Sequence, residues 1–152
     1  MTGQLPEIEA LTSLTSDDVD DLALLLGQLS TTTTFDRGRL EAVVEHEATE
    51  LLVARLDGKI VGTATFVAVP LPTGLRGHVE DVVVDASMRG RGIARLLLTR
   101  MTTLATEREL RSLDLTSRSS REAALQLYQS VGFVRRDTNA LRFTPRHDDI
   151  TN

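Results

Sequence analysis

The spacing of apolar residues predicts two amphipathic helices in the first third of the chain. In the first, an acidic start at 16–18 precedes apolar side chains that recur every three or four positions: Val19, Leu22, Leu26 and Leu29. A second, weaker helix is expected over residues 36–47. The aspartates of the first helix are interpreted as a solvated helix start rather than a substrate site: Asp17, Asp18, Asp20 and Asp21.

The middle of the chain changes to patterns that are typical of strands. Residues 51–56 and 59–69 are rich in β-favouring side chains and flank Asp57-Gly58, a signal for a tight turn between antiparallel strands. The proline-rich residues 70–74 predict a break, and residues 77–85 predict the next strand.

The second half of the chain alternates between helical and strand-like patterns. Helical spacing over residues 93–110 is followed by a strand-like stretch at 112–116, which predicts a β-α-β unit with parallel strands. A further helix, with a capping box at Ser119–Glu122, ends at Gly132. Two last strands are predicted at 133–136 and 140–143. We therefore expect an α+β domain with a mixed, mainly antiparallel twisted sheet flanked by helices.

The composition narrows the range of functions. The 152 residues, 41% of them hydrophobic, suit a single domain over residues 1–144 with a polar tail at 145–152. No apolar run approaches the roughly 20 residues of a membrane span, and the start of the chain lacks a secretory pattern. We therefore expect a cytoplasmic protein that binds no membrane. The net charge of −5 argues against nucleic-acid binding.

Cysteine and histidine usage excludes further classes of site. The chain has no cysteine, which excludes a cysteine nucleophile and a thiolate metal site. Its histidines, His46, His78 and His147, are isolated in the sequence. We expect no metal and, for a group-transfer enzyme, direct transfer.

The loop at residues 89–94, between a predicted strand and a predicted helix, has the features of an anion site. Unpaired backbone N–H groups point outward at a helix start, and Gly90 and Gly92 allow an anion to approach them. Arg89 and Arg91 are unfavourable beside the positive helix end by about 0.3–1 kcal/mol unless an anion is bound there. The alternative is that the glycines only turn the chain while the arginines face solvent or pair with carboxylates.

Other phosphate-binding motifs fit this loop poorly. A P-loop requires Lys-Ser/Thr at the helix start, where this chain has Ile93-Ala94, which argues against a magnesium-dependent phosphotransferase. The dinucleotide motif requires a third glycine and a downstream acidic residue.

The same loop carries a family resemblance. Arg89-Gly90-Arg91-Gly92-Ile93-Ala94 matches the signature Arg/Gln-x-x-Gly-x-Gly/Ala, and the chain resembles the GNAT (Gcn5-related) N-acetyltransferases. The resemblance extends to residues 82–85 upstream and 125–133 downstream. It implies a GNAT-like fold, acetyl-CoA as co-substrate and direct acetyl transfer to an amine without a covalent enzyme intermediate.

The resemblance also implies roles for individual residues. The pantetheine arm would pair with the backbone of Val82, Val83 and Val84. The pyrophosphate would be held by Arg89, Gly90, Arg91, Gly92, Ile93 and Ala94. Tyr128 would lie near the thioester sulfur. Many family members carry Asn near the start of the tyrosine-bearing helix, where this chain has Arg121; this arginine could instead reach a phosphate of coenzyme A.

Acetyl transfer to an amine calls for a base and an acid. An amine resembling lysine, with a pKa of about 10.4, must lose a proton before it attacks. Glu80 is the candidate base, with Asp81 and His78 as alternatives. Strand alternation places Glu80 and His78 on one face and Asp81 on the other, unless a bulge intervenes. Tyr128, the only tyrosine, is the candidate acid for the leaving thiolate, and packing in the core is its alternative role.

The favoured interpretation is an acetyl-CoA-dependent N-acetyltransferase acting on the primary amine of a small molecule. A protein N-terminal or lysine acetyltransferase is the alternative within that class, and a non-catalytic acyl-CoA sensor is the alternative outside it. Residues 77–84 are also similar to a strand of glucosamine-phosphate N-acetyltransferases, which does not fix the acceptor. Exposed edges of the terminal strands allow a homodimer.

Overall fold

A computed structural model describes residues 4–118 and 120–146 of the chain. The strands are β1 Glu7–Ala10, β2 Thr49–Leu56, β3 Lys59–Leu71, β4 Gly74–Val84 and β5 Ser112–Asp114. The helices are α1 Ser16–Leu29, α2 Arg37–Glu45, α3 Ile93–Glu107 and α4 Glu122–Ser130. Ser119, predicted to cap α4, lies outside the described residues, as do His147 and most of the predicted polar tail.

One five-stranded sheet has the order β1-β2-β3-β4-β5. The first four strands are antiparallel neighbours and β5 is parallel to β4. This arrangement confirms the predicted α+β class and the mixed, mainly antiparallel sheet. The predicted hairpin turn is also confirmed, because Asp57 and Gly58 both have positive φ angles, 51° and 78°. No described helix has the length and apolar character to cross a bilayer.

The predicted break at residues 70–74 is wrong in extent. β3 continues to Leu71, and only Pro72 and Thr73 separate it from β4. Pro70 fits inside the strand because the ladder with β2 ends at Thr49 opposite Val67. At Pro70, β4 is the one described strand that pairs with β3, and a residue without an N–H group is tolerated at such an edge.

Two apolar clusters hold the helices on opposite faces of the sheet. Leu97 and Met101 of α3 are fully buried in a cluster with Phe66. Leu22 and Leu25 of α1 are buried in a second cluster, which α2 also joins. In β2 successive residues belong to alternate clusters, as the pleat requires: Leu52 and Ala54 to the first, Leu51 and Val53 to the second. Ile93 at the start of α3 and Val79 in the middle of β4 are both buried in the first cluster.

The aspartates of α1 are not all solvated, so that interpretation is wrong for Asp18. Asp18 is 5% exposed, closes a capping box with Thr15 and pairs with Arg55 at 3.0 Å. The carboxylate of Asp21 accepts a hydrogen bond from the N–H of Ile60 at 3.0 Å. Burial acts to raise the pKa of Asp18, but the hydrogen bonds from Arg55 and Thr15 outweigh burial and leave that pKa lowered. These two contacts connect α1 to strands of the sheet.

The two last predicted strands are absent from the sheet of this chain. The sheet ends at β5, and residues 131–146 form no strand or helix. Val134, Leu141 and Phe143 are 83%, 93% and 87% exposed. The apolar alternation that predicted these strands is present in the sequence, but within the described part of the chain no neighbouring strand lies against it.

Candidate active site

The loop between β4 and α3 presents open backbone to solvent. Gly90 and Gly92 have φ angles of 81° and 78°, and no atom lies within 4 Å of the position that a Cβ would occupy on either residue. Gly92 is the N-cap of α3 and supplies no capping side chain. The first N–H groups of α3, starting at Ile93, are therefore available to an anion, and the helix dipole favours negative charge there.

The two arginines of this loop are free to meet such an anion. Arg89 and Arg91 are exposed, and neither forms an ion pair with any described carboxylate. The alternative in which they pair with surface carboxylates is therefore wrong for the described residues. The two remaining possibilities are that these side chains face solvent or that they contact a bound anion.

β4 and β5 separate well before this loop. They pair only over residues 76–78 of β4 and 112–114 of β5. Farther along, Val83 and Val84 remain paired with β3, while no strand among the described residues lies on their other side. Residues 82–84 therefore offer one unpaired backbone edge that runs directly into the loop at 89–94. An extended ligand can hydrogen-bond to such an edge as an added strand does.

A bulge in β4 changes the predicted faces of the candidate bases. Glu80 lies opposite Thr65 and Val83 lies opposite Thr63, so β4 has one residue more than β3 between these pairs. Asp81 occupies the bulge with a φ of 51°. Because Thr63 and Thr65 share one face, Glu80 and Val83 also share it. The bulge thus interrupts the simple alternation that would place Glu80 and Asp81 on opposite faces of the strand.

An open cavity of about 830 Å³ lies beside β5 and α4, and we call it the edge cavity. Its lining includes Tyr128, Glu80 and His78, together with Asp114 of β5 and Phe133 after α4. The structure therefore brings the predicted acid and the predicted base to the same cavity. Arg121 is the N-cap of α4, is exposed and forms no side-chain hydrogen bond or ion pair with another described residue.

Tyr128 is held by contacts at the end of α4. Gly132 has a φ of 110°, which turns the chain so that the N–H of Phe133 donates to the carbonyl of Tyr128 at 3.0 Å. The guanidinium of Arg95 donates to Oγ of Ser130 at 2.8 Å and thereby joins α4 to the first turn of α3. The half-buried tyrosine is thus fixed relative to the loop that precedes α3.

A second cavity, of about 210 Å³, lies between α1, α2 and the sheet, and we call it the helix cavity. Its lining includes Asp81, Thr65 and Arg39, and its apolar part includes Leu26 and Phe35. Thr33 and Thr34, between the two helices, also line the cavity. Asp81 was an alternative candidate base in the sequence, whereas the other lining residues come from distant segments and were not anticipated.

The described residues contain no group of three or more carboxylates and imidazoles that could hold a metal ion. The acids and bases available near the two cavities are individual side chains.

Comparison with known proteins identifies relatives of this arrangement. The sequence matches the model of the acetyltransferase (GNAT) family over residues 17–133. The glucosamine 6-phosphate N-acetyltransferase of Trypanosoma brucei brucei is 37% identical over 79 residues, which are 50% of this chain and 52% of that protein. The chain thus matches about half the length of this curated relative.

Solved structures extend the similarity to almost the whole chain. A ribosomal-protein-alanine N-acetyltransferase of Brucella melitensis biovar Abortus 2308 matches with a TM-score of 0.70 at 28% identity, over 90% of this chain and 99% of that one. An acetyltransferase of Trypanosoma brucei matches with a TM-score of 0.76 at 24% identity, over 91% and 99% of the two chains.

Proposed function

Because the chain belongs to the GNAT acetyltransferase family, we propose that it transfers an acetyl group directly from acetyl-CoA to the primary amine of a small molecule. The observation that carries the proposal is the continuity of two binding features. The unpaired edge of residues 82–84 runs into the loop at 89–94, where open N–H groups and unpaired arginines lie together. A pantetheine arm that ends in a pyrophosphate needs these two features in this order.

The residues of the two features have separate tasks. Val82, Val83 and Val84 offer backbone hydrogen bonds to the amides of the pantetheine arm. Arg89 and Arg91 neutralise the pyrophosphate, whose oxygens accept from the N–H groups of residues 90–94. Arg121, exposed at the start of α4, is available to a further phosphate of coenzyme A.

The chemistry is assigned to the residues of the edge cavity. Glu80 takes the proton of the acceptor ammonium, directly or through water, so that the neutral amine forms the new C–N bond. The backbone N–H near Val82 donates to the carbonyl oxygen as negative charge develops on it. Tyr128 donates its hydroxyl proton to the sulfur as the C–S bond breaks. The nitrogen, positively charged after attack, loses its second proton to the tyrosinate through water, which leaves the neutral amide and restores the tyrosine hydroxyl. The protein itself is never acetylated.

The helix cavity supports a small acceptor. Its volume of about 210 Å³ suits a compact molecule. Asp81, the residue that precedes Val82, contributes a carboxylate to its lining. Much of the remaining lining is apolar, with Leu26 and Phe35 among its residues. We assign this cavity to the body of the acceptor and Asp81 to attraction of its ammonium group.

A protein N-terminus is the second candidate acceptor. The Brucella structure named as a ribosomal-protein-alanine N-acetyltransferase covers 90% of this chain at 28% identity, which favours that alternative. A flexible peptide would enter from solvent with its terminal amine foremost. A panel of small amines and short peptides therefore distinguishes the two acceptors.

Calorimetry with acetyl-CoA tests the cofactor assignment. We expect the wild type to bind in the micromolar range and the double variant Arg89→Ala/Arg91→Ala to bind at least tenfold more weakly, about 1.4 kcal/mol. The charge-matched control, Arg37→Ala/Arg100→Ala, should bind like the wild type. S-acetylpantetheine, which lacks the pyrophosphate, should bind equally weakly to all three proteins.

Two results would count against the proposal. If the wild type does not bind acetyl-CoA at millimolar concentration, the cofactor assignment is lost. If it binds acetyl-CoA but releases no free thiol with any small amine or peptide, the chain is an acyl-CoA sensor rather than an enzyme.

A further inference from the structure

The helix cavity has both a cation and an anion in its lining. Its charged lining residues among those described are Asp36, Arg39 and Asp81. The carboxylate of Asp36 caps α2, where it accepts a hydrogen bond from the N–H of Arg39 at 3.0 Å. The guanidinium of Arg39 and the carboxylate of Asp81 form no ion pair with each other or with another described residue. Both charges are therefore available to a ligand.

Arg39 differs from Arg37, which lies on the same turn of α2. Nε of Arg37 lies 3.1 Å from the carboxylate of Glu41, four positions later, and neither of these residues lines the cavity. The residue four positions after Arg39 is Val43, which is apolar and belongs to the lining. A cation in the first turn of a helix is unfavourable beside the positive end of the helix dipole, and a bound anion would relieve this effect.

The two free charges come from opposite sides of the cavity. Leu51 of β2 pairs with Thr65 of β3, and Thr65 pairs with the residue of β4 that precedes Asp81. All three of these residues line the cavity, which therefore extends across three neighbouring strands that are about 4.8 Å apart. Asp81 lies at the β4 side, whereas α2, which carries Arg39, packs against β2.

Apart from these charges, most of the surface of the helix cavity is apolar. The apolar side chains come from both helices and from the segment between them: Leu26, Leu29, Phe35, Leu40 and Val43. A hydrocarbon body would bury apolar surface against them. The cavity thus combines an apolar middle with a negative charge on one side and a positive charge on the other.

We propose that the acceptor is a compact amino carboxylate, in which a short hydrocarbon body separates the primary amine from the carboxylate. The inference rests on the proposed function, because it assigns the acceptor of that reaction. The ammonium group lies at Asp81, and the carboxylate accepts two parallel hydrogen bonds from the planar guanidinium of Arg39. Arg39 is the one cation among the described lining residues, which matches a carboxylate better than a phosphate of nearly two charges. The product is the N-acetylated amino carboxylate.

Steady-state kinetics with a matched pair of amines test the carboxylate. γ-Aminobutyrate carries it, and γ-aminobutyramide has a neutral amide of similar size in its place. Because Arg39 is also exposed to solvent, we expect kcat/KM of the wild type to be about tenfold higher for the acid than for the amide. Arg39→Gln should abolish this preference by raising the KM of the acid alone. Arg37→Gln, the matched control, should keep it.

Reversal of the charge gives a result that a purely structural role of Arg39 would not produce. Putrescine carries a second ammonium group where γ-aminobutyrate carries its carboxylate. We expect Arg39→Glu to prefer putrescine, whereas the wild type prefers γ-aminobutyrate. Circular dichroism of each variant establishes that the chain is folded.

Three further amines test the position and the nature of the negative charge. L-α-Aminobutyrate has the same composition as γ-aminobutyrate, but both charges lie on one carbon atom. ε-Aminocaproate has a longer body, and γ-aminopropylphosphonate replaces the carboxylate with a phosphonate. We expect γ-aminobutyrate or ε-aminocaproate to be the best acceptor. A preference for L-α-aminobutyrate or for the phosphonate would overturn the proposed class.

NMR titration of the chain with γ-aminobutyrate and ε-aminocaproate, with and without coenzyme A, separates this inference from the proposed function. Binding that depends on Arg39, without turnover of any amine, would retain the amino carboxylate site and reject acetyl transfer. Turnover of amines without preference for the acid would retain acetyl transfer and overturn this inference. Equal losses in Arg39→Gln and Arg37→Gln, or neither binding nor turnover of the two acids, would also overturn it.

Discussion

The ring of Phe133 meets the ring of Tyr128 edge-on, with the ring centroids 6.3 Å apart and the ring planes at 69°. The same two residues are joined along the backbone by the hydrogen bond from Phe133 to the carbonyl of Tyr128. The edge of one ring against the face of the other is a favourable arrangement of aromatic quadrupoles. Phe133 therefore restricts the direction in which the tyrosine hydroxyl points.

Phe133→Leu should lower kcat about 2–10-fold, because the 0.5–1.5 kcal/mol of an edge-to-face pair is lost while apolar volume is largely kept. The KM for acetyl-CoA should stay within about twofold, since Phe133 acts through Tyr128. Steady-state kinetics measure both constants. Leu24→Ala, which alters an exposed leucine, is the control. A loss confined to the KM for acetyl-CoA would place Phe133 at the cofactor instead.

Tyr128→Phe removes the hydroxyl but keeps the ring and its contact with Phe133. If Tyr128 is the acid, kcat should fall by about 10²-fold or more, the usual contribution of a positioned proton donor. The affinity for acetyl-CoA, measured by calorimetry, should be unchanged. An unchanged kcat would assign the tyrosine to packing alone.

Glu80 and Asp81 should respond differently to loss of charge. With Glu80→Gln, we expect kcat to fall by about 10²-fold, since the proton acceptor is gone. With Asp81→Asn, we expect the KM of the amine to rise and most of kcat to remain. Steady-state kinetics compare kcat and KM of the two variants with those of the wild type. An exchange of these two results would make Asp81 the base.

Asp18→Asn should destabilise the fold at neutral pH. The variant loses the charge-assisted pair with Arg55, whose contribution we place at about 1–3 kcal/mol, toward the lower end because the arginine side chain is 25% exposed. Asp17→Asn is the control: it removes a charge from the same helix turn, and Asp17 is exposed. Urea unfolding of the two variants and the wild type gives the comparison.

The difference should depend on pH in a defined direction. The pKa of Asp18 in the folded chain lies below the ordinary value of 3.8, so its contribution is complete above that value. The contribution is lost as the pH falls through the lower folded pKa, and the wild type should then approach Asp18→Asn in stability. A difference that persists unchanged into strong acid would mean that the charge of Asp18 is not the cause.

Gly77→Ala should destabilise the pairing of β4 with β5. A Cβ at Gly77 would lie 2.5 Å from Leu110, 2.9 Å from Leu113 of β5 and 3.2 Å from the carbonyl oxygen of Val67. The two closest contacts are with flexible side-chain ends, so we expect a loss of about 1–3 kcal/mol rather than failure to fold. Gly27→Ala, with no atom within 4 Å, should be neutral or stabilising. Thermal unfolding measures both, and equal losses would refute the packing explanation.

The sequence predicted those elements whose cause is local. The hairpin at Asp57-Gly58 and the open loop at Gly90 and Gly92 follow from backbone preferences that a few residues determine. The resemblance based on that loop, and the fold that it implied, are confirmed by the family match. The shared cavity of Tyr128 and Glu80 is consistent with the predicted pair, whose roles stay a prediction.

The features that were not predicted from the sequence depend on contacts between distant segments. Asp18 is buried because Arg55, 37 positions away, lies beside it, and a local charge pattern cannot reveal such a partner. The bulge at Asp81 has no glycine or proline to signal it. The strands expected after Gly132 have the right alternation of apolar residues, but a strand also requires an edge to pair with, which alternation alone does not supply.

The hydrogen bond between Arg95 and Ser130 has a geometric consequence. Arg95 directly follows the loop that receives the pyrophosphate in our proposal, and Ser130 lies two residues after the tyrosine proposed to protonate the thiolate. In our proposal, the pyrophosphate end and the thioester end of the coenzyme therefore contact two helices that are joined by this hydrogen bond. The distance between the two binding positions is then set by the protein, and a shorter or longer pantetheine arm would place its sulfur away from Tyr128.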